Sequence, residues 1–192
     1  MFSQISSHLL DIYDNSAKAK ATLVSIRIYS DECAGTLTVE VADNGTGIAK
    51  TDLESVAHPF YTSRKSRITG LGIPFFKQSA ECTGGSFEIS STCGNGVFIR
   101  AVYNTDHVDC PVIGNLAEDL SAAVINENAP DIYFCFHSET IKLELDTRKI
   151  RDERPSDNYY LWNSIRRYLM ENSKGINIDG YGKKFFAIRR KK

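Results

Sequence analysis

Nowhere does this chain gather the ~18 consecutive apolar residues that a membrane-spanning helix needs. Nor is there an excess of one charge: 23 basic and 24 acidic side chains leave a formal net charge of −1, which argues against a protein built to coat nucleic acid or an anionic membrane. Cysteines are few and unpatterned. Cys33, Cys82, Cys93, Cys110 and Cys135 are odd in number and never spaced C-x2-C or C-x4-C, so neither a disulfide framework nor a zinc site is suggested. The start, "MFSQISSHLL", lacks a basic leader with a small-residue cleavage site. Together these absences lead us to expect a soluble protein of the cytoplasm, with no membrane and no nucleic-acid partner.

What is present is enough for one ordinary domain with an appended piece, or for two small ones: 192 residues. "SQISSHLLDIYDNSAKAKA" places Ile5, Leu9 and Ile12 at helical spacing. "TLVSIRIYS" and "GTLTVEVAD" alternate with period two, reading as two strands joined by the turn "DECAG". "KTDLESVAH" reads as a short helix and "HPFYTSRKSRITG" as an exposed loop. "LGIPFFKQSAECTGG" reads as a helix stopped by Gly84 and Gly85, with Pro74 in its first turn. "SFEISST" and "GVFIRAVY" around "CGNG" give the clearest hairpin signal. The order helix, strand, strand, helix, loop, helix, strand, strand predicts an α+β sandwich, a largely antiparallel sheet covered by helices on one face.

We place a boundary there, giving a first domain over 1–104 and a small C-terminal α/β domain over 105–192. In the second, "PVIGNLAEDLSAAVINENAP" predicts a helix ended by Pro130, "DIYFCFHSETIKLELDT" a hairpin and "NYYLWNSIRRYLMEN" a helix. The tail "GKKFFAIRRKK" holds six cations, either a solvated basic end or a docking patch for an acidic partner.

Four groups of residues could carry chemistry. Asp11 and Asn15 lie four apart, on one helical face; an Asn oxygen there can ligate Mg²⁺ and an acid one turn away can orient or deprotonate water, although a polar outer helix face explains the pair as well. "VADNGTGIAK" puts Asp43 at a strand end ahead of Gly45 and Gly47. A carboxylate there can accept from the exocyclic amine of adenine, and the glycines let a base approach backbone; a plain turn has the same residues. Arg64, Lys65 and Arg67 in the loop can neutralise phosphates or simply be solvated. Gly70 and Gly72 expose consecutive N–H groups at a helix start, an anion cradle.

In this order, "DIYDN", "DNGTGI", "HPFYTSRK" and "TGLGI" resemble the N, G1, F and G2 boxes of the GHKL ATP-binding domain, shared by DNA gyrase, heat-shock chaperones, mismatch-repair proteins and histidine kinases. The resemblance covers roughly residues 5 to 104. It implies Mg-ATP as ligand: Asn15 on the metal, Asp43 on the adenine amine, Gly45, Gly47 and Ile48 shaping the base pocket. It further implies Phe60, Thr62, Arg64 and Lys65 in a lid, and Gly70, Leu71 and Gly72 around the phosphates. The short lid is most similar to the kinase branch.

Two positions depart from that pattern. Asp11 stands where hydrolysing branches carry a glutamate base, and it is one methylene shorter. Val97 stands where many relatives carry a threonine whose hydroxyl helps fix the base. Only ten residues precede Asp11, so we expect no phosphoacceptor helix ahead of it, and His8, within the ATP-domain helix itself, reads as structural. His107 and Asp109 also read as structural. The whole chain resembles small stand-alone, histidine-kinase-like ATP-binding proteins of anaerobic bacteria encoded near iron-only hydrogenases. The function this implies is a stand-alone regulatory protein that binds Mg-ATP and either phosphorylates a partner protein or binds it in a nucleotide-dependent way. A hydrolysing GHKL ATPase with Asp11 as its catalytic acid-base group, and a scaffold that has lost nucleotide, are the alternatives.

Overall fold

Alternation of apolar and polar residues in four segments decides the architecture, because each strand then has one face that must be covered. The computed structural model describes residues 4–56, 72–125, 129–153 and 157–172. Its elements in chain order are α1 (Ile5–Lys18), β1 (Leu23–Asp31), β2 (Thr36–Asp43), α2 (Lys50–Val56), α3 (Gly72–Glu81), β3 (Ser86–Ser91), β4 (Val97–Asn104), α4 (Leu116–Ala123), β5 (Asp131–His137), β6 (Lys142–Asp146), α5 (Thr147–Glu153) and α6 (Asn158–Asn172).

The six strands form one sheet in the order β3-β4-β2-β1-β5-β6. Every neighbouring pair is antiparallel except β1 and β5, which run parallel with Val24 opposite Ile132 and Ile28 opposite Phe136. The result is the expected α+β sandwich, mostly antiparallel. Val24, Ile26 and Ile28, Leu37, Val39 and Val41, and Ile132, Phe134 and Phe136 all turn inward, to be covered by Leu9 and Ile12 of α1, Phe76 of α3, Leu120 of α4 and Ile165 of α6 in one continuous cluster. The segment assigned to a second domain thus contributes β5 and β6 to the same sheet and two helices to the same apolar layer.

One polar contact crosses that join, and others hold the added segment together. Tyr13 of α1 donates its hydroxyl to the Pro130 carbonyl at 2.7 Å, just before β5. Arg166 of α6 pairs with Glu118 of α4 at 2.7 Å. The buried Thr147 hydroxyl accepts from the Ile132 amide and donates to Asp131, both at 2.8 Å, fixing α5 to the start of β5. The helix expected over 111–130 is shorter than its pattern. Gly114 has φ +91° and Asn115 caps α4 by accepting from the Glu118 amide, so the helix starts only at Leu116. Among the described residues no helix is long and apolar enough to cross a membrane.

Candidate functional site

The site is built where α1, the end of β2 and the start of α3 converge. Ile5, Leu9, Ile12 and Tyr13 anchor the apolar face of α1, which leaves Asp11 exposed and Asn15 half-buried, one turn apart. Partial burial raises the Asp11 pKa above the ordinary carboxylate value; Asp14 raises it further and Lys18 opposes. Gly72 opens α3 directly against this acid. A Cβ added at Gly72 would lie 2.5 Å from the Asp11 Cβ and 3.1 Å from its Oδ2, so only a bare residue allows the two helices to approach this closely. The sequence groups Asp11 and Gly72 are therefore brought together, 61 positions apart in the chain.

Asp43 is the last residue of β2. One carboxylate oxygen, Oδ1, accepts from the Gly45 amide at 2.8 Å, and the other, Oδ2, accepts from the Ser16 hydroxyl of α1 at 2.8 Å. Its orientation is thus set from two elements. The loop that follows is pinned on three sides. Asn44 Oδ1 accepts from the amides of Thr22 and Leu23 at 2.8 and 3.0 Å, and Thr46 donates its amide to the Ala19 carbonyl at 2.9 Å. On the third side, the Ser91 hydroxyl accepts from the Ile48 amide at 2.8 Å and donates to the Gly96 carbonyl at 2.6 Å.

The glycines earn their places differently. A Cβ at Gly45 would come 2.8 Å from the Ala19 carbonyl oxygen. Gly47 has φ +69° and a Cβ there would strike the Thr92 carbonyl. Gly96, with φ +76°, lies against the Asp43 carbonyl, where no Cβ fits. In each case the space a side chain would take is filled by the protein's own backbone, so bare residues are what let the loop after β2 and the β3–β4 turn pack this closely.

Asp11, Asn15 and Gly72 thus form one group and Asp43, Gly45, Gly47 and Ile48 another, linked through α1 because Ser16 follows Asn15 directly. Phe60, Thr62, Arg64, Lys65, Gly70 and Leu71 lie outside the described residues. Sequence reading missed Ser16, Ser91, Asn44 and Gly96. For Ser16 there was a signal: a serine four residues after Ile12 on an otherwise apolar helix face has to find a hydrogen-bond partner. His8 is buried on α1 with its ring 5.5 Å from that of Phe76, and burial pushes its pKa down to about 4. His107 Nδ1 accepts from the Asp109 amide at 3.2 Å, a local turn contact.

The family described as histidine kinase-, DNA gyrase B-, and HSP90-like ATPase matches residues 3–106. Among curated proteins, a sensor histidine kinase, ZraS of Escherichia coli O157:H7, is 30% identical over 93 residues, which are 48% of this chain and 20% of that protein. The C4-dicarboxylate transport sensor protein DctB of Rhizobium meliloti is 37% identical over 67 residues, 35% of this chain and 11% of its own length. The chain thus spans a small part of the curated relatives it matches. Among solved structures, the mycobacterial sensor histidine kinase MprB aligns at a TM-score of 0.39 with 25% identity, over 50% of this chain and 66% of the other. The matched segment runs from α1 through β4 and holds every described residue of the site, and the chain belongs to the histidine kinase-, DNA gyrase B- and HSP90-like ATPase family.

Proposed function

We propose that this protein binds Mg-ATP between α1, the β2 end and α3, and that the bound nucleotide controls its binding to, or its phosphorylation of, a partner protein. Family membership supports ATP binding. The observation that carries the reading is the Asp43 carboxylate at the end of β2, held at both oxygens, with Gly45 and Gly96 packed closely beside it. An ionised aspartate only accepts hydrogen bonds, and the adenine amine donates.

The donor set suits the metal as well. Asn15 would hold Mg²⁺ through its amide oxygen, with Asp11 one turn away, and hard oxygen donors are what this ion prefers. When bound, the ion supplies neutralisation of the phosphate charge. The amides at the start of α3, with the cations Arg64 and Lys65, would complete the phosphate side. Phe60, Thr62, Gly70 and Leu71 belong to the same proposal. Five free thiols, three of them exposed, suit the reducing cytoplasm.

Hydrolysis is a second reading, favoured by Asp11. A carboxylate whose pKa is raised by burial is a better base toward water than an unperturbed one. Incubating the full chain with labelled Mg-ATP, with and without candidate partner proteins, tests both: Asp11→Asn abolishes phosphate release if this acid activates water. Partner phosphorylation that survives in Asp11→Asn supports the regulatory reading instead. Absence of any nucleotide binding at millimolar Mg-ATP would refute both and leave a scaffold.

A further inference from the structure

We propose that Ser16 is a positioning residue for the base, fixing the plane of the Asp43 carboxylate so that the site selects a purine bearing a 6-amino group. This rests on the nucleotide reading above. A carboxylate held at one oxygen can still swing about its Cβ–Cγ bond. Here Oδ1 is held by the Gly45 amide of its own loop and Oδ2 by a hydroxyl from a different element, α1, both at 2.8 Å. Two donors on two oxygens leave a single plane and one remaining direction in which each oxygen can accept.

Ser16 is itself well fixed. It is 2% exposed and its Oγ lies 3.1 Å from the Ile12 carbonyl oxygen, one turn back. No other hydroxyl performs this task among the described residues. Val97, directly opposite Ser91 in the β3–β4 register, carries none. Ser91 is engaged with the Ile48 amide and the Gly96 carbonyl. On the inner face of a helix alanine would be the better helix former, so packing alone gives no reason for serine at this position. Its contact with Asp43 does.

The chemical consequence is selectivity. An acceptor-only group locked in one orientation favours a donating amine and disfavours the 6-oxo group of guanine or hypoxanthine, which presents a second acceptor. Loss of Ser16 should therefore weaken ATP specifically and spare a nucleotide that never used the amine.

The test measures dissociation constants of the full chain for Mg-ATP and for the Mg-triphosphate of purine riboside, which lacks the 6-amino group. In Ser16→Ala, ATP binding weakens about tenfold while the analogue changes by less than about twofold; Ser16→Thr, which keeps the donor, retains most of the wild-type ratio. Should Ser16→Ala not fold, Ser16→Cys, whose thiol is a weak donor, carries the same comparison. Equal weakening of both nucleotides, or no change in either, overturns the role of Ser16 while leaving ATP binding intact. A wild-type protein that binds neither nucleotide overturns the site itself and this proposal with it.

Discussion

Gly72 and Asp11 meet with no room between them: a Cβ on the glycine would lie 2.5 Å from the Cβ of the aspartate. Both atoms would belong to helices whose opposite faces are locked into the core, through Leu9 and Ile12 on α1 and Phe76 on α3. Neither helix can yield cheaply. Gly72→Ala should therefore cost about 1–3 kcal/mol, as overpacking does, and should also weaken nucleotide binding by prising α3 from α1. Denaturant unfolding together with a Mg-ATP titration checks both; unchanged stability would mean that the two helices are not in this contact.

Gly94 and Gly96, two apart in the β3–β4 turn, both have positive φ, +84° and +76°, yet their surroundings differ. Nothing lies within 4 Å of a Cβ at Gly94, whereas one at Gly96 would collide with the Asp43 carbonyl. Gly94→Ala should cost about 1 kcal/mol from backbone strain alone. Gly96→Ala should cost more than about 2 kcal/mol, since strain and collision combine, and it should displace Asp43. Comparison of the two unfolding midpoints checks this order, and equal costs would contradict it.

His8 makes stability depend on pH. Burial lowers its pKa from 6.5 to about 4, so the unfolded chain binds the proton more readily than the folded one. The stabilisation is fully present above pH 6.5 and is lost as pH falls from there to about 4, reaching about 3 kcal/mol. Asp146, held low by its hydrogen bond to Arg148, adds a loss of the same sign on further acidification. Unfolding of wild type and His8→Leu across pH 7.5 to 4 isolates the histidine: the variant should show a flatter slope above pH 4.5. Parallel curves would show that His8 does not titrate across the transition.

Much of the architecture was legible because it is local. The spacing of Ile5, Leu9 and Ile12 predicts α1, and strict alternation from Leu37 to Val41 predicts β2 with its inner face. The turn "CGNG" predicts the β3–β4 hairpin, because positive-φ glycines favour that turn. What the pattern does not carry is pairing across distance. Nothing in "DIYFCFH" says that β5 lies parallel beside β1, so residues after 104 read as a separate unit although they extend the same sheet. The pattern starts α4 too early because Gly114 and Asn115 interrupt a periodic stretch.

The same division holds for the site. Asp43, Gly45, Gly47 and the Asp11–Asn15 pair stand out in the sequence as compact motifs. Ser16, 27 positions from the carboxylate it holds, does not stand out in the sequence because its partner appears only once α1 is packed on the sheet. The sequence suggests Gly72 as an anion cradle; what the structure shows is a bare residue packed against Asp11.

Calorimetric titration of Mg-ATP into the full chain and into Asp43→Asn tests the central claim most directly. Asparagine keeps the shape of the side chain but replaces one acceptor oxygen with a donor, which a donating amine cannot pair with. The wild type should bind, and saturation at about 100 times the dissociation constant should add about 2.7 kcal/mol to its stability. Asp43→Asn should bind at least about tenfold more weakly. Equal affinity in the two proteins would contradict the account, because ATP would then be held somewhere other than at Asp43.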